Sequence, residues 1–333
     1  MPRAAIDIGF SINCPECGTK TASTVCPKGH VIKTAAGIPI CMSDEAFKVK
    51  KTPDPWYWMF QSVDLAEKLN QSKSFSEGID AFFHVQEAER GRPLLHEKSL
   101  WDKRQLPVGT SECISEACRL LGLTSREIPF ISKDRTFVEI GCGAGWDLVP
   151  SAKYYFGNNV LGLDLSPHYL VMARRLMAEH GIDKPKLACA DICDGWPIPI
   201  EDYDIGFISM LGVLEHIKDI SSFFENIRKI RTYPLMMYMT VPYRWTLQRE
   251  SHFNITGVGW WPTRGMQDAY VKHRLNVRGE LDHVEQYSVA SMRKTLERYF
   301  KPNAITVVKN SNSTLGARYL HVLLRVTGSN DLA

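Results

Sequence analysis

The side chains best placed to do chemistry fall in two stretches. The first is Thr136–Leu148, TFVEIGCGAGWDL, where Glu139 stands two places before Gly141, and Gly143 and Gly145 come at alternate positions after it. Glycines so spaced let the backbone turn tightly and approach a ligand, with the N–H groups of the next helix start aimed at it. Alone the pattern is weak, because many strand-to-helix turns need glycine. The strands downstream of it strengthen the reading. Val160–Leu163 reads as a second apolar strand ending in Asp164, whose carboxylate can accept two ribose hydroxyls. A third, Lys186–Ala190, ends in Asp191, and a fourth, Tyr203–Met210, opens into Leu211-Gly-Val-Leu-Glu-His-Ile. The second stretch, residues 12–43, holds Cys14-x-x-Cys17 and Cys26-x-x-x-His30. Two such knuckles can close a tetrahedral site around structural zinc, which would replace the core that so short a module cannot build. Cys41 competes with His30 as the fourth ligand and ranks below it, because it occupies an apolar position beside the GIPI segment.

Four strands that each deliver a polar or small residue at the carboxyl end require a parallel sheet with a ligand crevice along one edge. Ser166-Pro167 reads as an N-cap with proline at the first helical position, leading into an apolar face of Tyr169, Leu170, Met172, Ala173, Leu176 and Met177. Ser111–Leu121 is a packing helix before the first strand, its cysteines small core residues. Leu235–Pro242 is a fifth strand; a helix over Ser288–Phe300 and strands over Ala304–Lys309 and Tyr319–Val326 close the sheet with an antiparallel edge hairpin. Between Tyr243 and Glu280 runs a long insertion carrying Trp245, Trp260, Trp261, His252 and His273 among arginines. Loops this long are usually functional; it is read as a substrate-side cap. The expected organisation is a ribbon over 1–50, a helical linker or lid over 51–130, where Trp56–Phe60, Phe82, Phe83, Leu94, Leu95, Leu100 and Trp101 punctuate helices, and an α/β domain over 131–333 with its cap at 243–280.

The series VEIGCGAG, LGLDLSP, ACADI and GVLEHIKD resembles motif I, the acidic residue after it, motif II and the post-motif segment of class I S-adenosylmethionine-dependent methyltransferases. The resemblance spans roughly residues 134 to 245, about a third of the chain. It implies a Rossmann-like seven-stranded sheet that binds S-adenosylmethionine: Glu139, Gly141, Gly143 and Gly145 at the methionine part, Asp164 and Leu165 at the ribose, Asp191 and Ile192 at the adenine, with Leu211 also at the cofactor. His216 and His252 are the candidate general bases, with His84 behind them. The N-terminal module is similar to small zinc ribbons that precede some bacterial methyltransferases, and its CPKGH knuckle is like that of guanine-N1 ribosomal RNA methyltransferases. The expected Arg231-Thr-Tyr-Pro lead-in to the fifth strand departs from the family's proline-glycine-glycine only in a loop.

Composition narrows the choice of function. A chain of 333 residues with 44% apolar content builds a real core. No apolar run approaches a bilayer span and residues 1–10 lack a secretory pattern, so a cytoplasmic enzyme without a membrane partner is expected. Nine scattered cysteines suit a reducing compartment. The formal net charge of +3 is thin for phosphate contacts. A small-molecule O-, N- or C-methyltransferase, its acceptor acidic or aromatic, therefore ranks ahead of a ribosomal or transfer RNA enzyme that grips RNA with the ribbon, and ahead of a non-catalytic cofactor-binding protein. The oligomeric state is left open.

Overall fold

The computed structural model describes residues 5–43, 62–90, 98–99, 101, 104–248, 255–275, 284–309 and 317–333. Trp56–Phe60, Leu94, Leu95, Leu100 and His252 lie outside these residues.

The ribbon contributes β1 (Asp7–Asn13), β2 (Lys20–Ser23), β3 (Thr34–Ala35) and β4 (Ile38–Pro39). The segment read as a helical linker or lid contributes α1 (Val63–Asn70) and α2 (Phe75–Arg90), and α3 (Glu112–Leu121) precedes the sheet. The sheet is then laid down as β5 (Thr136–Ile140), α4 (Leu148–Ser151), β6 (Val160–Asp164), α5 (Pro167–Glu179), β7 (Lys186–Cys189), β8 (Ile205–Leu211), α6 (Ile220–Ile227) and β9 (Leu235–Pro242). After the insertion, which holds α7 (Arg264–Leu275), come α8 (Val289–Leu296), β10 (Ile305–Lys309) and β11 (Tyr319–Val326).

Seven strands form one sheet in the order β10-β11-β9-β8-β5-β6-β7. Strands β5 to β9 run parallel to their neighbours, and β11 lies antiparallel to both β9 and β10. This is the Rossmann-like class I methyltransferase arrangement that the motifs imply. Strand sequences such as Phe137-Val138 and Phe207-Ile208 are apolar at consecutive positions and fully buried, as strands covered by helices on both faces must be. The chain walks outward from β5 to β7, then returns to start β8 on β5's other side. That reversal opens a crevice at the carboxyl ends of β5 and β8.

Helix α5 matches the sequence pattern closely: Ser166 is its N-cap, Pro167 its first residue, and the six apolar residues of its face are all buried. Among the described residues no helix is long and apolar enough to cross a membrane.

The ribbon does not stand apart from the sheet. Ile40 forms a parallel bridge with Cys189, and the Cys41 N–H donates to the Cys189 carbonyl at 2.8 Å, so the segment after β4 adds itself to β7, the outermost strand. Asn13 donates its backbone N–H to the Pro197 carbonyl and its side-chain amide to that of Trp196, at 2.8 and 3.2 Å. Tyr203 donates its hydroxyl to the Ser11 carbonyl at 3.1 Å, and Arg174 reaches the Ala36 carbonyl at 2.8 Å. Such non-local pairing has no signature in periodicity.

Candidate cofactor crevice and cysteine cluster

The turn after β5 is shaped by glycine where geometry demands it. Gly141 has φ +70°, and a Cβ there would sit 2.2 Å from Val213 Cγ2, so no other residue lets the loop after β8 pack on the turn. Gly143, at φ +51°, has nothing within 4 Å of its Cβ direction, which leaves the backbone open to a ligand. Its N–H donates to Asp164 Oδ2 at 2.8 Å, while Ser166 N–H donates to Oδ1 at 2.8 Å. Asp164 therefore ties the glycine turn to the start of α5. Ser166, read as an N-cap, gives the helix no side-chain cap bond; its backbone serves Asp164 instead. Each Asp164 oxygen keeps a lone pair for a further donor. Burial pushes this carboxyl up to about 6, against the pull of those two N–H groups.

Next to the turn lie two more buried acids. Glu139 is 4% exposed, and its Oε2 has no hydrogen-bond partner among the described residues. Burial, then the neighbouring Asp147 carboxylate, drives Glu139 well above the usual carboxylate range, with Arg104 pulling the other way. Asp147 Oδ1 accepts from Ser111 Oγ at 2.9 Å and Glu112 N–H at 3.0 Å, anchoring the N-terminus of α3, where the helix dipole favours an anion. A buried carboxylate with an orphaned oxygen is costly unless a cation or donor completes it. That is the fit expected for the ammonium of an amino-acid ligand.

At the end read as the adenine side, Asp191 comes after β7, is half-buried, and caps a short helical turn by accepting from Cys193 N–H at 2.9 Å; Ile192 beside it is buried. Leu165 and Leu211 are half-buried at the ends of β6 and β8. The structure thus gathers Glu139, the three glycines, Asp164, Leu165, Asp191, Ile192 and Leu211 along one edge of the sheet. His216 lies half-buried in the turn after β8, next to fully buried Glu215. His84 is exposed on α2 and His273 exposed on α7. Of the two histidines read as bases, only His216 can be placed.

Sequence reading missed Asp147, Trp146 and Arg104. The Arg104 guanidinium lies 5.0 Å over the Trp146 ring, which also meets Phe75 edge-on at 5.2 Å and Trp101 at 6.4 Å. Lid aromatics continue the stack: Phe82 lies between Trp101 at 5.9 Å and His168 at 5.7 Å. Phe82 and Phe83 are fully buried, so they pack the lid on α5 rather than line a cavity. A lone arginine in a polar stretch offers no sequence signal; Trp146, immediately after Gly145, could have been suspected.

In the ribbon, Cys14, Cys17, Cys26 and His30 bring one ligand atom each to within 4.8 Å of one another. Cys17 Sγ to Cys26 Sγ is 3.9 Å, and His30 Nδ1 lies 3.6 Å from Cys26 Sγ and 3.8 Å from Cys14 Sγ. A tetrahedral zinc with sulfur ligands at about 2.3 Å has edges of roughly 3.8 Å. Cys41 is outside this group; its N–H serves the pairing with β7.

Residues 137–231 match the family model described as a methyltransferase domain. That segment of the chain is similar to methyltransferase domains. No curated protein matches the sequence. Among solved structures, an S-adenosylmethionine-dependent methyltransferase from Mesorhizobium loti is 18% identical over 63% of this chain and 97% of that one, with a TM-score of 0.43. Magnesium protoporphyrin IX methyltransferase from Synechocystis PCC 6803, with S-adenosylhomocysteine bound, is 15% identical over 64% of this chain and 80% of that one (TM-score 0.41). Geranyl diphosphate C-methyltransferase from Streptomyces coelicolor A3(2) is 14% identical over 63% and 75% (TM-score 0.40). The methyltransferase-domain match at residues 137–231 supports an enzyme.

Proposed function

We propose that the methyltransferase transfers a methyl group from S-adenosylmethionine to a small-molecule acceptor with an acidic or aromatic part. The observation that carries this reading is the buried Glu139–Asp147–Asp164 set around an open glycine turn. The cofactor supplies an electrophilic sulfonium methyl, so the protein's task is mainly to orient a nucleophile in line with it. Glu139 holds the ammonium of the methionine part, and Arg104, a short way across the turn, pairs with its carboxylate. Asp164 accepts the ribose hydroxyls while keeping Gly143 in place. Asp191 and Ile192 border the adenine. His216, at the end of β8, takes the acceptor's proton. The cap of residues 243–280 faces the acceptor, and its sequence balance of six Lys or Arg against three Asp or Glu suits an anionic one.

In the ribbon, the same reading assigns zinc to Cys14, Cys17, Cys26 and His30, with a structural role. Its main-chain bonds to β7 and to the 196–197 segment favour a ribbon that braces the adenine side over one that reaches out to grip RNA. The deciding experiment offers methyl-labelled S-adenosylmethionine with either a metabolite extract or bulk RNA. Label in the metabolite fraction, lost in Asp164→Ala, supports the reading; label in RNA alone overturns it.

A further inference from the structure

Among the described residues the large apolar side chains left in solvent are concentrated in one place. Trp245, Leu247, Trp260, Trp261 and Met266 are exposed at 49%, 60%, 50%, 38% and 42%, all within the insertion after β9, while Ile6, Val31, Val108 and Leu123 are scattered singly elsewhere. Scattered apolar residues need no explanation, but a contiguous exposed patch does. Arg244 knits this one together. Its guanidinium donates to the carbonyls of Gly259 and Trp261 at 2.9 and 3.1 Å, and lies 5.1 Å over the Trp245 ring. Trp261 meets Tyr270 of α7 at 5.6 Å. On that helix Met266, Tyr270 and Arg274 recur every four residues and share one face, with His273 beside Arg274.

Basic side chains outnumber acidic ones around the patch among the described residues: Glu285 faces Arg264 and Arg244, and no such partner faces Lys272 and Arg274. Residues 243–248 and 255–275 contain Arg244, Arg264, Lys272 and Arg274 against Asp268 alone, and Asp268 is paired with Arg264 at 2.8 Å. Exposed tryptophans beside an excess of lysine and arginine are the combination that seats a protein in the headgroup layer of an anionic bilayer. The indole ring is amphipathic, and each cation near the surface adds to the attraction. The patch is joined to the candidate active site: Tyr243 bridges Tyr287, and Glu285 N–H donates to the Glu215 carbonyl at 2.8 Å, next to His216.

We propose that this cap face docks the enzyme on the surface of an anionic lipid bilayer, holding the mouth of the crevice at the membrane. Surface attachment needs no spanning helix, and the inference departs from the expectation, drawn from apolar runs, that no membrane is a partner. It does not depend on which atom is methylated.

The test is co-sedimentation of the full chain with vesicles of phosphatidylcholine alone and of phosphatidylcholine doped with phosphatidylglycerol, beside two variants, W245A/W260A/W261A and K272E/R274E. S-adenosylhomocysteine affinity within about twofold of the parent certifies that each variant is folded. The parent is expected to bind the anionic vesicles and release them in high salt, and each variant to bind at least about tenfold more weakly. Failure of the parent to bind anionic vesicles overturns the proposal, as does equal binding by both variants. If the parent instead forms a dimer that the tryptophan variant abolishes, with no vesicle binding, the face joins two copies and the proposal is wrong.

Discussion

The two ends of the crevice are built on opposite principles. At the end proposed for the adenosine, acids are committed before any ligand arrives: both Asp164 oxygens hold main-chain N–H groups, Asp191 caps a turn, and the ribbon pairs with β7 two residues before it. At the end proposed for the methionine part and the acceptor, Glu139 and Asp147 each keep a buried oxygen without a partner among the described residues, Arg104 stacks on Trp146 from an exposed position, and the segment read as a cap leaves its tryptophans in solvent. A preformed half costs little ordering on binding, so it supplies affinity; an incomplete half is stabilised only when the right group fills it, so it supplies selectivity.

The largest expected effect falls on the preformed half. With zinc at the proposed site, Cys14→Ser should release it and lower the melting temperature by roughly 5–10 °C, as metal binding is folding energy in so small a module. Because Asn13, next to Cys14, anchors the Trp196–Pro197 segment, S-adenosylhomocysteine should also bind more weakly to the variant. Calorimetry showing unchanged affinity in metal-free protein would mean that the ribbon does not brace the adenine side.

Asp164→Ala comes next. Loss of a charged acceptor for the ribose, together with the anchor of the glycine turn, should weaken S-adenosylhomocysteine by on the order of 100-fold. Parent-like binding would move the ribose elsewhere. The same residue sets a pH dependence. Asp164 is raised from 3.8 to about 6 in the free protein, and only its ionised form accepts two hydroxyls, so affinity should plateau above about pH 7 and fall as pH drops through about 6. One unit below that midpoint it should be about tenfold weaker. For folding the sign is opposite: the folded chain holds this proton more tightly than the unfolded one, so the carboxyl's burial costs stability as pH rises from 3.8 to about 6.

Arg104→Ala tests the incomplete half and carries the smallest effect. It should weaken S-adenosylmethionine by about tenfold, with adenosine itself unaffected, as an exposed cation pairing with one carboxylate contributes modestly. Equal loss for both ligands would show that Arg104 shapes the lid rather than pairs with the methionine part.

How much of this was legible before the structure depended on range. The strands, the glycine turn, Ser166-Pro167 and the Cys-x-x-Cys and Cys-x-x-x-His pairs are local patterns, and β9 falls on Leu235–Pro242 as read. The helix read as Ser288–Phe300 is shorter, Val289–Leu296, because the residues after it turn inward to bury Tyr299 and Phe300. Contacts made between residues far apart along the chain left no such trace. Nothing in GIPIC announces that Ile40 and Cys41 will pair with Cys189, and nothing in KRQL marks Arg104 as a neighbour of Trp146.

The Ile40–Cys41 pairing with β7 has one further consequence, for the protein in bulk. A sheet edge is a row of open donors and acceptors that another chain can extend, and β7 is such an edge on an apolar strand. The ribbon blocks it. On the proposed zinc site, stripping the metal would therefore change colloidal behaviour as well as thermal stability: chelated protein should scatter light and self-associate at concentrations where zinc-loaded protein stays dispersed.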